Sequence, residues 1–122
     1  MPELSIKLKL VQADRPAIYK FVRGSFGPDS TLRFSVVDEA DNPVSLENKT
    51  VFLVLFHKIT QFPILEKECT IEQVGTPPDD EWFALYEPKE GDFSFLNIYY
   101  LRLKIKDVDN ETFTERVLFQ VV

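Results

Sequence analysis

The chain has 122 residues, a mass of 14.2 kDa, a formal net charge of -6 and a sequence pI of about 4.8. This length fits one domain, residues 1–122, and leaves no room for two independent cores. The acidic balance with scattered Lys and Arg argues against a nucleic-acid binder, and the single cysteine and single histidine argue against a disulfide and a Cys/His zinc site.

The N-terminal segment alternates apolar and polar side chains. Its apolar positions are Leu4, Ile6, Leu8 and Leu10. This period of two predicts a strand near residues 3–12 with one face in water. The chain begins without the pattern of a secretory signal and contains no run of ~18 apolar residues that could span a membrane. We therefore expect a protein made in a reducing cytoplasm, without membrane insertion.

A second alternating segment, Leu32, Phe34 and Val36, predicts a strand near residues 30–38. The turn-forming residues 38–43 follow it. Residues 51–56 then break the alternation, because every position is apolar. Such a run predicts a strand near residues 50–57 with both faces covered.

A sandwich covers only one face of a strand from within, so the second face of residues 51–56 needs another cover. A loop of the same chain, a terminus and a partner subunit all stay open as that cover. The partner alternative draws support from the apolar residues that follow at once. The candidate interface consists of Phe52, Val54, Phe56, Ile59, Phe62 and Ile64.

Four further strands are predicted near residues 64–72, 81–87, 97–106 and 112–122. In the last segment Glu115 falls on the apolar side, which indicates either a bulge or a strand start beyond the core edge. Phe93, Phe95 and Ile98 are expected to close one end of the core. The whole pattern predicts an all-β fold, an antiparallel immunoglobulin-like β-sandwich of about seven strands with Greek-key connections.

The inventory of reactive side chains does not support an enzyme. A nucleophilic site would have to use His57, which ends the apolar strand, and no Gly-x-Ser-x-Gly turn is present. Cys69 has no basic neighbour in sequence that would activate it. Acidic clusters near residues 38–41 and 107–111 fall in predicted turns, where turn formation is the default and calcium binding the alternative. No catalytic residue, metal or cofactor is predicted.

Aromatic residues make up 13% of the chain, and stacked aromatics are one way in which β-sandwiches bind sugars. Trp82 and Tyr86 could form such a platform. The same two residues fit equally well as core-filling positions of one strand, and the core interpretation is favoured.

The order of strands and turns resembles the immunoglobulin-like N-terminal domain of phage baseplate upper proteins. The residues that carry it are a strand over 30–38 with an Asp-Asn-Pro-Val turn, the stretch 45–53, the acidic and glycine piece 88–92, and paired strands over 99–106 and 112–121. The resemblance covers most of the chain from about residue 17. In that family the sandwich usually precedes a C-terminal extension, whereas this chain ends at Val122, so we expect a stand-alone relative or an isolated domain.

The resemblance implies a disulfide-free virion structural protein of a tailed phage, assembled in the bacterial cytoplasm. Its implied role is to mediate protein-protein contacts between the tail or baseplate and receptor-binding components. The expected partners are other virion proteins and further copies of the same chain, with no nucleic acid. The alternative is a carbohydrate-binding or adhesin-type module that uses Trp82 and Tyr86.

Overall fold

Alternating apolar residues place one face of each of two β-sheets against a shared core. The computed structural model describes residues 4–10 and 16–122. Within these residues the strands are β1 (Leu4–Lys9), β2 (Ile18–Phe21), β3 (Leu32–Val37), β4 (Thr50–His57), β5 (Pro63–Glu68), β6 (Thr70–Val74), β7 (Glu81–Tyr86), β8 (Asn97–Lys106), β9 (Glu111–Phe113) and β10 (Val117–Val121). A short 3-10 turn, Pro28–Ser30, precedes β3.

The two sheets have the strand order of an immunoglobulin-like sandwich. The smaller sheet runs β1-β3-β7-β6, and the larger runs β2-β10-β8-β4-β5 with β9 beside β8. In the smaller sheet the strands take positions A, B, E and D of that fold. In the larger sheet β4, β8 and β10 take positions C, F and G. The predicted all-β sandwich is therefore confirmed.

Strand direction and strand number differ from the prediction in detail. The sheets are mixed, because β1 pairs with β3 and β2 pairs with β10 in parallel. No hairpin turn joins either pair, so nothing imposes the antiparallel direction. The described residues also form more than about seven strands. The four-residue β2 is too short to show a period in the sequence, and the predicted segments 64–72 and 112–122 each divide into two strands.

The segment 64–72 divides at Cys69, where the chain passes from the larger sheet to the smaller. Before this point β5 pairs with β4, and after it β6 pairs with β7. The Cys69 N–H donates to the Val51 carbonyl at 2.8 Å. The thiol is buried, and burial raises the pKa of Cys69 to about 12. Cys69 therefore packs as a small core residue at the crossover.

The segment 112–122 divides at Thr114 and Glu115, which are both buried between β9 and β10. The Thr114 hydroxyl accepts a hydrogen bond from the Leu103 N–H at 2.9 Å. The Glu115 carboxylate accepts one from the Lys9 N–H at 2.7 Å. These bonds replace the strand ladder, so the polar residue on the apolar side marks the break between two strands.

Phenylalanine rings fill the core where the two sheets meet. Phe21, Phe34 and Phe119 are fully buried. The Phe93 ring lies 4.9 Å from that of Phe21 and 5.2 Å from that of Phe119, measured between ring centroids. Phe93 thus closes the core at the end of the sandwich from which β8 starts, as predicted. The predicted role of Phe95 was wrong, because its side chain is 77% exposed.

Candidate interaction surface

The all-apolar strand β4 has one face in the core and one on the outer side of the larger sheet. Val51, Leu53 and Leu55 belong to the core cluster. Phe52, Val54 and Phe56 alternate with them and therefore face outward. Val54 and Phe56 are nevertheless only 8% and 6% exposed. The outer face of β4 is thus covered within the chain itself.

Long side chains from the neighbouring strand β8 supply this cover. The Lys104 Nζ lies 4.9 Å from the centroid of the Phe52 ring, and the Arg102 guanidinium lies 5.3 Å from that of Phe56. The Tyr100 ring packs against Phe56 at 5.5 Å between centroids. Cations over aromatic rings and amphipathic stems over apolar surface account for the burial.

This cover is none of the three that the sequence leaves open, namely a loop, a terminus or a partner subunit. The residues of β8 lie directly opposite β4, with Phe52 facing Lys104 and Phe56 facing Tyr100. The pairing of two strands separated by some fifty residues cannot be deduced from local alternation. Consequently Phe52, Val54 and Phe56 do not form an open apolar surface.

The other half of the candidate interface is exposed. Ile59 and Phe62 lie in the turn between β4 and β5 and are 85% and 72% exposed, and Ile64 at the start of β5 is also exposed. The side chain of His57 holds this turn, since its Nδ1 accepts hydrogen bonds from the Ile59 and Thr60 N–H groups at 3.3 and 3.4 Å. Phe62 is therefore presented on an ordered hairpin.

Further exposed apolar side chains gather at the same end of the sandwich. The segment 22–26 is tied to it by a hydrogen bond from the Gly24 N–H to the Phe93 carbonyl at 2.9 Å. His57 of the hairpin lies opposite Tyr99, two residues after the start of β8. We call this surface the apolar end, and its exposed residues are Val22, Phe26, Ile59, Phe62, Ile64, Phe95, Leu96 and Val122.

A cavity of about 220 Å³ opens at the apolar end, between the start of β5 and the segment that precedes β8. Its lining is mainly apolar, with Asp92 and Ser94 as polar members. The remaining residues that line it are Leu55, Ile64, Leu65, Gly91, Phe93, Phe95 and Tyr99. Five of the eight residues of the apolar end, Val22, Phe26, Phe95, Leu96 and Val122, were not in the predicted interface. They are scattered in sequence, and only the fold brings them together.

Trp82 and Tyr86 share the inward-facing side of β7. Tyr86 is only 6% exposed, and its hydroxyl donates a hydrogen bond to Asp92 Oδ2. Burial and the Asp92 carboxylate raise the pKa of Tyr86. Trp82 packs partly against the core, with its Nε1 donating to Asp80 Oδ2 at 3.0 Å. The two rings therefore do not form an exposed pair.

The turn carboxylates are engaged in local contacts. Asp38 Oδ1 accepts hydrogen bonds from the N–H groups of Ala40 and Asn42, both at 2.9 Å. Asp41 forms ion pairs with Lys9 at 3.2 Å and with Lys7 at 3.6 Å. These contacts lower the pKa of Asp41, and the hydrogen bond from Lys9 contributes most. Across residues 4–10 and 16–122, no three His, Cys, Asp or Glu side chains come close enough to hold a metal ion. Nor does this part of the chain contain a helix long and apolar enough to cross a membrane.

Among solved structures, the chain is similar to the N-terminal domain of ORF48 of phage TP901-1. The TM-score is 0.69 and the sequence identity 13%, and the likeness covers 99% of this chain and 98% of that one. No protein-family model and no curated protein sequence matches the chain. At this identity the likeness establishes a shared fold over nearly the whole of both chains.

Proposed function

We propose that this protein is a structural module of a phage particle that works by protein-protein contact in the tail or baseplate. Three lines of support converge. The turns and strands of the sequence resemble the N-terminal domain of phage baseplate upper proteins. The fold is similar to an N-terminal domain of a phage protein over almost its full length. The reactive side chains of the described residues, His57 and Cys69, serve a turn and the core.

The apolar end is the observation that carries the proposal. Isolated apolar side chains on a surface are ordinary, but a contiguous apolar patch indicates a contact site. Here the patch combines a turn that presents Ile59 and Phe62 with a neighbouring segment that presents Phe95 and Leu96. The cavity that Ile64 and Phe95 both line offers a recess for an apolar side chain of a partner. The contact partner in this proposal is another virion protein or a further copy of the chain.

Mass spectrometry of purified phage particles tests the assignment to the virion. Particles are induced from a host strain that carries the gene and purified on a density gradient. We expect the chain in the particle fraction in a fixed ratio to the major tail proteins, with an abundant host enzyme as the measure of contamination. Its absence from intact particles would contradict the proposal.

Incorporation of surface variants tests the contact site. Phe62→Ser and Phe95→Ser remove large exposed side chains of the apolar end, so the variants should fold and yet fail to enter particles. Val108→Ser is the matched control, because Val108 is 92% exposed in the turn after β8, at the opposite end of the sandwich. Normal incorporation of the Phe62 and Phe95 variants would show that the apolar end is not the contact site.

A further inference from the structure

The outer face of the larger sheet holds an arginine between two aromatic rings. The guanidinium carbon of Arg102 lies 4.3 Å from the centroid of the Phe113 ring and 5.3 Å from that of Phe56. The rings come from β9 and β4, which flank β8 on opposite sides. Packing between two rings restricts the guanidinium, so it loses little conformational entropy when it binds a ligand.

No carboxylate of the described residues pairs with Arg102. On the same face, Lys104 forms ion pairs with the carboxylates of Glu66 and Glu111. The Arg102 Nε is buried and has no hydrogen-bond partner. Burial lowers the pKa of Arg102, and the nearby charge of Arg116 lowers it further. Burial and the charge of Arg116 therefore disfavour the positive charge of Arg102, and no carboxylate of the described residues offsets them.

Arg33 is an arginine whose charge already has a carboxylate partner within the chain. It lies over the Phe83 ring, 3.8 Å from its centroid, and it pairs with the Glu72 carboxylate at 3.3 Å. Both arginines thus stack on a ring, and the difference between them is the carboxylate. A carboxylate from outside the chain would give Arg102 the ion pair that Glu72 gives Arg33.

We propose that Arg102, held between Phe56 and Phe113, anchors a carboxylate side chain in an acidic segment of a partner protein. The charge of the site selects the anion, and the planar guanidinium suits a carboxylate. The surroundings select a protein segment, because Tyr100 and Phe113 are partly exposed beside Arg102. Aromatic residues and arginine are the types enriched at protein interfaces. This site is separate from the apolar end and does not rest on the proposed virion role.

Binding of a labelled acidic peptide tests this site. The probe is a fluorescein-labelled peptide of alternating Glu and Leu, and the reference peptide has Gln in place of each Glu. We expect the purified protein to bind the Glu peptide more tightly by fluorescence anisotropy. Arg102→Gln should weaken binding about tenfold, the loss of one charge-assisted pair. Arg102→Lys should also weaken it, since a lysine lacks the planar pair of donors.

The matched control is Arg33→Gln, which removes the same charge from an arginine that already has a carboxylate. Its binding of the Glu peptide should equal that of the wild type. Equal binding of both peptides, unchanged binding by Arg102→Gln, an equal loss in Arg33→Gln, or no binding at all would each overturn the proposal. So would a single-stranded oligonucleotide that binds through Arg102 in preference to the peptide.

A measurement on the unmodified protein covers the case in which Arg102→Gln fails to fold. The side-chain N–H signals of Arg102 and Arg33 are followed by NMR during titration with the Glu peptide. The Arg102 signal should shift and saturate along the anisotropy curve, and the Arg33 signal should stay in place. A stationary Arg102 signal under peptide saturation would refute the site.

Discussion

Glu115 and Lys9 form two hydrogen bonds with each other that link the two sheets. The Lys9 N–H donates to Glu115 Oε2, and the Glu115 N–H donates to the Lys9 carbonyl, both at 2.7 Å. Lys9 ends β1 in the smaller sheet, while Glu115 lies between β9 and β10 of the larger. The reciprocal pair therefore closes the sandwich where the strand ladder of the larger sheet is interrupted.

Removal of the Glu115 carboxylate should destabilise the fold. Glu115→Ala leaves the partly buried Lys9 N–H without its acceptor, which costs about 1 kcal/mol or somewhat more. Glu115→Gln keeps an oxygen that can accept the hydrogen bond, so its free energy of unfolding should fall by less. Urea denaturation gives the free energies of unfolding, with Glu39→Ala in an exposed turn as the control. A free energy for Glu115→Ala equal to that of the control would show that the carboxylate's hydrogen bond contributes nothing to stability.

The sequence predicts where the strands of this fold lie better than it predicts which strands pair with each other. Period-two alternation located β1, β3 and β8, because those strands each have one wet face. It missed β2, which has only four residues. The cover of β4 depends on Arg102 and Lys104 of a distant strand, and a local pattern contains no information on which strands will pair.

The candidate surface was predicted in part for the same reason. Ile59, Phe62 and Ile64 were identified because they follow one another in sequence. Phe95 joins them only through folding, since the pairing of β4 with β8 sets the hairpin beside the segment that precedes β8. Exposure is likewise a tertiary property, which is why Phe56 and Phe62 look equivalent in the sequence and differ in the structure.

Phe56 and Phe62 should respond in opposite ways to the same substitution. Phe56 is 6% exposed under Tyr100 and Arg102, so Phe56→Ser should cost about 2–4 kcal/mol of unfolding free energy. Phe62 is 72% exposed, and Phe62→Ser should stay within about 0.5 kcal/mol of the wild type. Thermal and urea denaturation of the two variants side by side measure the difference. Equal losses would contradict the placement of these rings.

Cys69 should make the stability of the fold depend on alkaline pH. Burial raises the pKa of its thiol from 9.0 to about 12. Because the folded-state pKa is raised, the thiol's contribution is fully present below pH 9 and is lost as the pH rises through about 12. Urea denaturation at pH 8 and pH 11 should show a smaller decline for Cys69→Ala than for the wild type. An identical decline in both proteins would show that the thiol does not titrate in this way.

Trp82 gives a direct test of the sugar-binding alternative, since it is the single tryptophan of the chain. Its indole N–H is already bonded to Asp80, and Tyr86 beneath the same strand is buried with its hydroxyl on Asp92. A sugar platform needs exposed ring faces, so cellulose and chitin oligosaccharides at millimolar concentration should leave the Trp82 emission unchanged. Acrylamide quenching provides the control for exposure of the indole. A saturable shift of emission with one oligosaccharide, lost in Trp82→Phe as measured by calorimetry, would instead establish a carbohydrate site next to Asp80 and would assign β7 a role outside the core.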